Sequence, residues 1–244
     1  MKPKLGTCIT ALFMATRSLP TVIVAAVCIV LAWPTSHNVR ADDRTVRIVV
    51  LGDILTSEYY LPAGYAFHDK LEFALRAKGR SVKVVNASVN HDSAARGLAR
   101  LNQSVTDDTD AVILELGGND MLRGIEPNVT RTALAAILRN LETRLIVALL
   151  CGARPHTNFG DEYEKAFAAM FSGLASEYNV LFYPAFDDAF VDDAQLKARD
   201  GLRPNAAGIE AVVTRILPTV EALIDRARRR NSVDNRPSMS PTPR

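Results

Sequence analysis

Five short apolar segments, each followed by a stretch with helical periodicity, constrain the fold of this chain more than any other feature. Their residues are mostly β-branched or aliphatic, which is typical of strands that are buried on both faces. Strands that alternate with helices form a parallel sheet covered by helices on both sides. The sequence therefore predicts a single-domain α/β fold with a five-stranded parallel sheet. The segments are VRIVVLG (46–52), SVKVVNAS (81–88), DAVILELGGND (110–120), RLIVALLCG (144–152) and NVLFYP (179–184).

The segments between the strands carry apolar residues at helical spacing, and local signals mark several helix ends. Gly79 follows the first of these segments, as glycine does at many helix C-termini. Pro127 stands where a helix is expected to begin, a position that proline favours. The last segment predicts a long helix whose apolar face is formed by Ile209, Val212, Val213, Ile216, Val220, Leu223 and Ile224.

The first 41 residues have the pattern of a secretory signal peptide. Four basic residues and no acidic residue precede Asp42, and the stretch 21–33 is apolar without interruption. A membrane span needs about 20 apolar residues, so this stretch is short for an uncleaved anchor, which is the alternative. The sequence therefore predicts a cleaved leader over residues 1–41, no stable membrane span after cleavage, and a mature protein that is periplasmic or secreted.

The charge of the chain is distributed unevenly. Without residues 1–41 the chain has 25 basic and 27 acidic residues, and the stretch 42–225 has 19 basic and 26 acidic residues. This acidic balance argues against nucleic-acid binding, which requires a basic surface. The last 19 residues differ, since they hold six arginines and three prolines. This composition predicts a folded domain over 42–228 and a disordered, basic, Pro-rich tail over 229–244.

The cysteine and histidine residues indicate little chemistry. Cys151 is the one cysteine outside the predicted leader, so the mature chain cannot form an internal disulfide. Its place at the end of an apolar run predicts a buried, inert thiol. The four histidines show no metal-binding spacing with acidic residues or with Cys151, and no phosphate-binding glycine loop is present. We therefore predict neither a metal site nor a cofactor.

Three of the predicted strands end in polar turns. Gly52-Asp53 follows the first strand, Asn90-His91-Asp92 follows the second, and Gly117-Gly118-Asn119-Asp120 follows the third. In open parallel sheets, ligands bind at the edge where the carboxyl ends of the strands meet. The sequence therefore predicts one site at this edge.

Taken with the turn Asp200-Gly201-Leu202-Arg203-Pro204-Asn205, these motifs resemble the SGNH hydrolases, also called the GDSL esterase/lipase family. The similarity is greatest to the secreted bacterial arylesterases, thioesterases and lysophospholipases. It extends over residues 46–224 and is most specific in AVILELGGNDMLRGIEP (111–127). The resemblance implies a flavodoxin-like three-layer sandwich, the SGNH hydrolase fold.

The chemistry of that family uses a serine nucleophile, a histidine base, an aspartate that orients the histidine, and an oxyanion hole. By the resemblance, Ile54 stands at the serine position, Arg203 at the histidine position and Asp200 at the aspartate position. The oxyanion hole would use the backbone N–H at the serine position, the backbone N–H of His91, where the family has glycine, and the side chain of Asn119.

Neither substituted residue can perform the step that the family requires. Ile54 has no nucleophilic atom, and Arg203 keeps its proton at any physiological pH. The interpretation that we favour is a pseudoenzyme that binds a small acyl, lipid or glycan ligand or a protein partner. The ligand contacts expected from the resemblance are Asp53, Asn90, Gly118, Asn119, His156 and Arg203.

A second interpretation retains catalysis. Ser57 lies three residues beyond Ile54 and could act as a nucleophile with His91 as its base. The chain would then be a carboxylic-ester or thioester hydrolase with a rearranged site, although Ser57 is more simply explained as a polar residue of a helical turn. Arg203 also has two interpretations, because it can form a salt bridge with Asp200 or hold an anionic ligand.

Overall fold

The computed structural model describes residues 44–154 and 159–234. All neighbouring strands of its sheet are parallel, in the order β2-β1-β3-β4-β5. The predicted α/β class and the five-stranded parallel sheet are therefore confirmed. The strands are β1 (Val46–Gly52), β2 (Val82–Asn86), β3 (Ala111–Glu115), β4 (Val147–Cys151) and β5 (Leu181–Tyr183).

The described residues also form seven α-helices, and local sequence explains several of their ends. Ser93 caps the second helix by accepting a hydrogen bond from the N–H of Arg96, Pro127 begins the fifth, and Gly79 follows the first with φ +75°. The helices are α1 (Phe67–Ala77), α2 (Ala94–Ala99), α3 (Leu101–Ser104), α4 (Gly118–Leu122), α5 (Pro127–Thr143), α6 (Asp161–Glu177) and α7 (Ala206–Asp234). Two short 3-10 helices, Phe186–Ala189 and Ala194–Leu196, lie between β5 and α7.

Two apolar clusters, one on each face of the sheet, form the core. Successive side chains of a strand point to opposite faces, so each strand contributes to both clusters. Ile48 and Val50 of β1 belong to the cluster that contains the apolar residues of α1 and α7. Val49 and Leu51 belong to the cluster that contains those of α5 and α6. Burial on both faces thus explains the continuous apolar run along β1.

Helix α7 is the longest of the described helices, and all seven residues of its predicted apolar face are buried. It continues to Asp234, so the predicted disordered tail is wrong for residues 229–234. Arginine has a high helix propensity, so the arginines near this end are compatible with helix. Asn231 also donates a hydrogen bond to Asp110 at 3.0 Å, which ties this last part of α7 to the domain. The predicted leader over 1–41 and the tail beyond 234 lie outside the described residues.

The register of the sheet brings the polar turns to one edge. Gly52 of β1 lies opposite Glu115 of β3, and the N–H of Val89, beyond β2, donates to the carbonyl of Gly52 at 3.0 Å. The turns after β1, β2 and β3 therefore meet at the carboxyl edge of the sheet. Of the helices in ranges 44–154 and 159–234, none has the length and apolar character needed to span a membrane.

Candidate active site

The turn after β1 is held by buried hydrogen bonds. Gly52 has no room for a side chain, because a Cβ there would lie 2.1 Å from Thr56 Oγ1. Thr56 Oγ1 itself donates to Glu115 Oε2 at 3.2 Å and lies 2.8 Å from Ser88 Oγ. The backbone N–H of Asp53 also donates to Glu115 Oε2, at 3.3 Å. The end of β3 thus positions the turn that follows β1.

Asp53 and Glu115 form a pair of buried carboxyl groups beneath this turn, since the residues are only 2% and 3% exposed. Asp53 accepts hydrogen bonds from the N–H of Leu55 at 3.0 Å and from Asn119 Nδ2 at 2.6 Å. Burial nevertheless raises the pKa of Asp53 to about 6. Burial, together with the charge of Asp53, raises the pKa of Glu115 well above its ordinary value. The pair therefore tends to retain a proton, because two carboxylates away from water repel each other.

We expect Glu115→Gln to stabilise the fold at pH 8 and to have a smaller effect at pH 5. At pH 8 both carboxyl groups are ionised in the unfolded chain, so folding must either bury two charges or take up a proton. The stability that Asp53 contributes is present below its unfolded pKa of 3.8 and is lost as the pH rises through about 6. The glutamine keeps an acceptor oxygen and removes one charge. One pKa unit corresponds to about 1.4 kcal/mol, and we expect a gain of that order at pH 8.

Urea unfolding at both pH values measures this difference in the free energy of unfolding. Glu142→Gln, at an exposed glutamate of α5, is the matched control and should change little at either pH. Equal effects of Glu115→Gln at pH 5 and pH 8 would show that the buried pair does not titrate as described.

The turn after β2 gives His91 an uncommon backbone conformation. Its φ is +63°, a left-handed value that glycine adopts freely and that other residues adopt at a cost. The residue is exposed, and its carbonyl accepts a hydrogen bond from Arg123 Nη2 at 3.0 Å. His91 is therefore held in a backbone conformation that glycine adopts more readily.

Two buried aspartates link the surrounding helices to these turns. Asp92 accepts a hydrogen bond from Arg100 Nε at 2.6 Å. Asp120 accepts hydrogen bonds from the N–H of Ala94 at 2.9 Å and from Thr130 Oγ1 at 3.2 Å. Helices α2, α4 and α5 are thereby joined by buried polar contacts next to the site.

Asn119 is the side chain through which the turn after β3 reaches the site. The turn begins at Gly117, which has φ +105° and where a Cβ would lie 3.1 Å from the ring of Phe171. Asn119 Nδ2 donates to Asp53 Oδ2 at 2.6 Å and to the carbonyl of Asp92 at 3.1 Å. Both amide protons are therefore engaged, and an oxyanion would have to replace one of these two acceptors.

Arg203 is held by a salt bridge and by an aromatic ring. Its Nε donates to Asp200 Oδ2, and its backbone N–H donates to Asp200 Oδ1 at 3.1 Å. Its Cζ lies 4.4 Å from the centroid of the Tyr60 ring, a cation–π contact. Partial burial acts to raise the pKa of Asp200, but the hydrogen bonds from Leu202 and Arg203 outweigh it and lower that pKa. The salt bridge between Asp200 and Arg203 is thus present and ionised.

A cavity of about 770 Å³ opens between these turns. This volume is within the range of small-molecule sites, about 300–1,000 Å³. Asn90 is among the lining residues, and its Oδ1 is buried and has no hydrogen-bond partner among the described residues. The predicted contacts Asp53, Asn90 and Gly118 line the cavity, whereas His156 lies outside the described residues. All five positions that the resemblance relates to catalysis also line it, namely Ile54, His91, Asn119, Asp200 and Arg203.

Ser57 is not among the residues that line this cavity. It is 4% exposed, and its hydroxyl donates to the carbonyl of Ile54 at 3.3 Å. A serine commonly bonds in this way to the backbone three residues earlier. No hydrogen bond joins Ser57 to His91 among the described residues, and the pairing of these two as nucleophile and base stays a prediction.

Three residues of the site were not identified from the sequence. Glu115 belongs to an apolar strand, and its charge within that strand is the one signal that could have indicated a special role. Tyr60, the residue under Arg203, has a buried hydroxyl without a partner in the described part of the chain, and burial raises the pKa of that hydroxyl. Lys197 lines the cavity, but no local pattern distinguishes it.

Cys151 is 2% exposed at the end of β4, and burial raises the pKa of its thiol well above the ordinary value. The buried position predicted for this thiol is therefore confirmed. Within ranges 44–154 and 159–234, no group of three or more His, Cys, Asp or Glu residues is arranged to hold a metal ion.

A model of the GDSL-like lipase/acylhydrolase family matches residues 50–211, a stretch that contains all the turns around the cavity. This chain belongs to that family. The resemblance to the SGNH, or GDSL, hydrolases is thereby confirmed, and the family's motif positions can be compared with the cavity just described.

Relatives of this GDSL-family chain are named as hydrolases. The thioesterase 1/protease 1/lysophospholipase L1 of Escherichia coli (strain K12) is 35% identical over 159 residues, which are 65% of this chain and 75% of that protein. The arylesterase of Vibrio mimicus is 31% identical over 165 residues, which are 67% of this chain and 82% of that protein.

Solved structures of family members share the fold. The crystal structure of TesA has a TM-score of 0.69 and 28% identity, covering 72% of this chain and 99% of that chain. The SGNH-hydrolase family esterase AlinE4 has a TM-score of 0.62 and 36% identity, covering 73% of this chain and 96% of that chain. The SGNH hydrolase fold, with its helices on both faces of the sheet, is therefore confirmed.

Proposed function

We propose that this chain is a non-catalytic member of the GDSL-like family that binds a small acyl, lipid or glycan ligand in the cavity at the carboxyl edge of the sheet. One observation carries the proposal: Ile54 and Arg203 both line the cavity, at the motif positions of the nucleophile and the base. Isoleucine has no attacking atom, and a guanidinium does not accept a proton. The nucleophile and base act as a unit, so losing either removes most of the rate gain.

The other polar groups around the cavity are consistent with binding rather than hydrolysis. Asn119 donates both amide protons within the protein, so an oxyanion would have to displace one of the two acceptors. Asp200, which would orient a histidine, is paired with Arg203. The hydroxyl of Ser57 is engaged by the carbonyl of Ile54. These contacts support a binding role.

The cavity itself supports a ligand-binding role. Its volume of about 770 Å³ is comparable to small-molecule sites, although its two substituted positions cannot supply the usual chemistry. The leader predicted over residues 1–41 supports a periplasmic or secreted location for this binding.

We expect no turnover of short-chain p-nitrophenyl esters or acyl-thioesters above the uncatalysed rate. The full-length sequence should be expressed, the exported protein purified, and initial rates measured beside the arylesterase of Vibrio mimicus as a positive control. Turnover that disappears in Ser57→Ala or His91→Ala would overturn the proposal and establish a rearranged hydrolase. Turnover that survives both changes would also overturn it.

A further inference from the structure

We propose that the ligand of this cavity is a single-chain amphiphile with an acidic head group, a carboxylate or a phosphate monoester. Lys197 and Arg203 bind the head group, and the alkyl chain lies against an apolar rim formed by Tyr59, Leu122 and Leu202. This inference rests on the proposed function, because it names the ligand class for the same cavity.

Arg203 presents a fixed guanidinium to the cavity. Asp200 engages Nε, and the Tyr60 ring supports the group from one side. Nη1 and Nη2 donate no hydrogen bond to any residue that the structure describes. Two terminal guanidinium nitrogens match the spacing of two oxygens of a carboxylate or phosphate, which is the usual bidentate arrangement. Because the side chain is already held in place, binding costs it little conformational entropy.

Lys197 places a second positive charge near Arg203. Lys197 and Pro204 form an antiparallel bridge, and the N–H of Ala198 donates to the carbonyl of Arg203 at 2.7 Å. The two cationic residues thus lie on paired segments, and both line the cavity. Lys197 is half-buried and forms no ion pair in ranges 44–154 and 159–234. A partly desolvated cation without a counter-ion favours an anionic ligand.

The carboxylates that line the cavity are already engaged by other groups. Asp53 accepts hydrogen bonds from Leu55 and Asn119, and Asp200 is paired with Arg203. Two more belong to Arg154, because Asp187 accepts its backbone N–H at 2.9 Å and Asp192 pairs with its guanidinium. Of the lysine and arginine residues that line this cavity, Arg154 and Arg203 form ion pairs, whereas Lys197 has no ion-pair partner in the described part of the chain.

The rim of the same cavity is unusually apolar for a surface. Tyr59 is 77% exposed, Leu122 is 62% exposed and Leu202 is 74% exposed, and all three line the cavity. Exposed apolar residues grouped around a concave site mark a place where an apolar partner binds. Leu202 directly precedes Arg203, so an alkyl chain can lie on the rim while its head group contacts the cations.

Isothermal titration calorimetry on the protein expressed from the full-length sequence tests whether binding requires both the acidic head group and the alkyl chain. The probes are octanoate and octyl phosphate, with 1-octanol lacking the acidic group and acetate and inorganic phosphate lacking the chain. We expect octanoate or octyl phosphate to bind at least about tenfold more tightly than the truncated probes, a difference of about 1.4 kcal/mol. The preferred head group distinguishes a carboxylate ligand from a phosphate ligand.

Variants test which residues bind the acidic head group and which bind the alkyl chain. Lys197→Gln and Arg203→Gln should each weaken the binding of the acidic octyl probe and leave 1-octanol unchanged, while Leu202→Ser should weaken both. Arg199→Gln is the matched control, because Arg199 is an exposed cation of the same segment and does not line the cavity. Thermal unfolding confirms that each variant is folded.

Three results would overturn this inference. They are the absence of binding by any octyl probe, binding of 1-octanol as tight as that of octanoate and octyl phosphate, and binding of acetate or phosphate as tight as that of its octyl counterpart. A loss in Arg199→Gln equal to that in Lys197→Gln would overturn the role of the cavity cations. Ester turnover by the wild-type chain would instead contradict the proposed function, so the two failures are distinguishable.

Discussion

If the chain is non-catalytic as proposed, replacing Ile54 by serine and Arg203 by histidine in the same chain should create esterase activity. Arg203 is paired with Asp200, so a histidine at position 203 would lie beside the carboxylate that should orient it. His91, at the position of the oxyanion-hole glycine, has a left-handed φ that glycine adopts freely. Serine and histidine act as a unit that contributes about 10⁶-fold in a fully evolved protease. We therefore expect a gain of about 100-fold or more over the uncatalysed rate, measured as initial rates on p-nitrophenyl butyrate.

Single variants are the controls for this gain. Ile54→Ser alone lacks a base and Arg203→His alone lacks a nucleophile, so both should remain at the uncatalysed rate. Ile54→Ala combined with Arg203→His tests for nonspecific effects of the histidine. A folded double variant without turnover would show that the site has diverged beyond these positions. Adding His91→Gly to the double variant then tests whether the His91 side chain blocks the substrate.

Phe167→Ala should destabilise the fold by about 3–5 kcal/mol, the usual cost of emptying a large aromatic site in a core. Phe167 lies on α6 and is fully buried in the cluster that contains the apolar residues of α5 and α6. Its ring centroid lies 5.2 Å from that of Tyr163 and 6.3 Å from that of Phe171. Phe171 in turn contacts the position of Gly117, so the same packing supports the turn that carries Asn119. Urea unfolding measures the change in the free energy of unfolding.

Phe73→Ala on α1 is the matched control, because Phe73 is the same residue type but is 73% exposed. We expect it to change the free energy of unfolding by no more than about 0.5 kcal/mol. Losses of similar size in the two variants would mean that Phe167 does not occupy the tightly packed position described.

Much of the fold could be predicted because its signals are local. A strand buried on both faces has to be apolar at successive positions, as β1 is, and a helix with one buried face repeats apolar residues every three or four positions, as α7 does. Gly79 and Pro127 mark helix ends through the backbone angles that each allows or requires. Such constraints act within a few residues and are therefore visible in the order of the amino acids.

Motif order was also enough to locate the candidate site, since the carboxyl ends of parallel strands lie along one edge. It did not show how the site is arranged. The end of α7 was misjudged because composition alone did not show the contact between Asn231 and Asp110, 121 residues apart in sequence. Spacing also did not show that the hydroxyl of Ser57 bonds to the carbonyl of Ile54.

The sequence by itself determined the sheet and the helical faces, and it predicted that Ile54 stands at the nucleophile position. Tertiary structure alone decided that Glu115 lies against Asp53, that Tyr60 supports Arg203 and that Lys197 shares their cavity. The physical reason is that periodicity and side-chain chemistry are properties of short segments. Burial, pKa and counter-charge instead depend on neighbours that the sheet register and chain turns bring together from distant parts of the sequence.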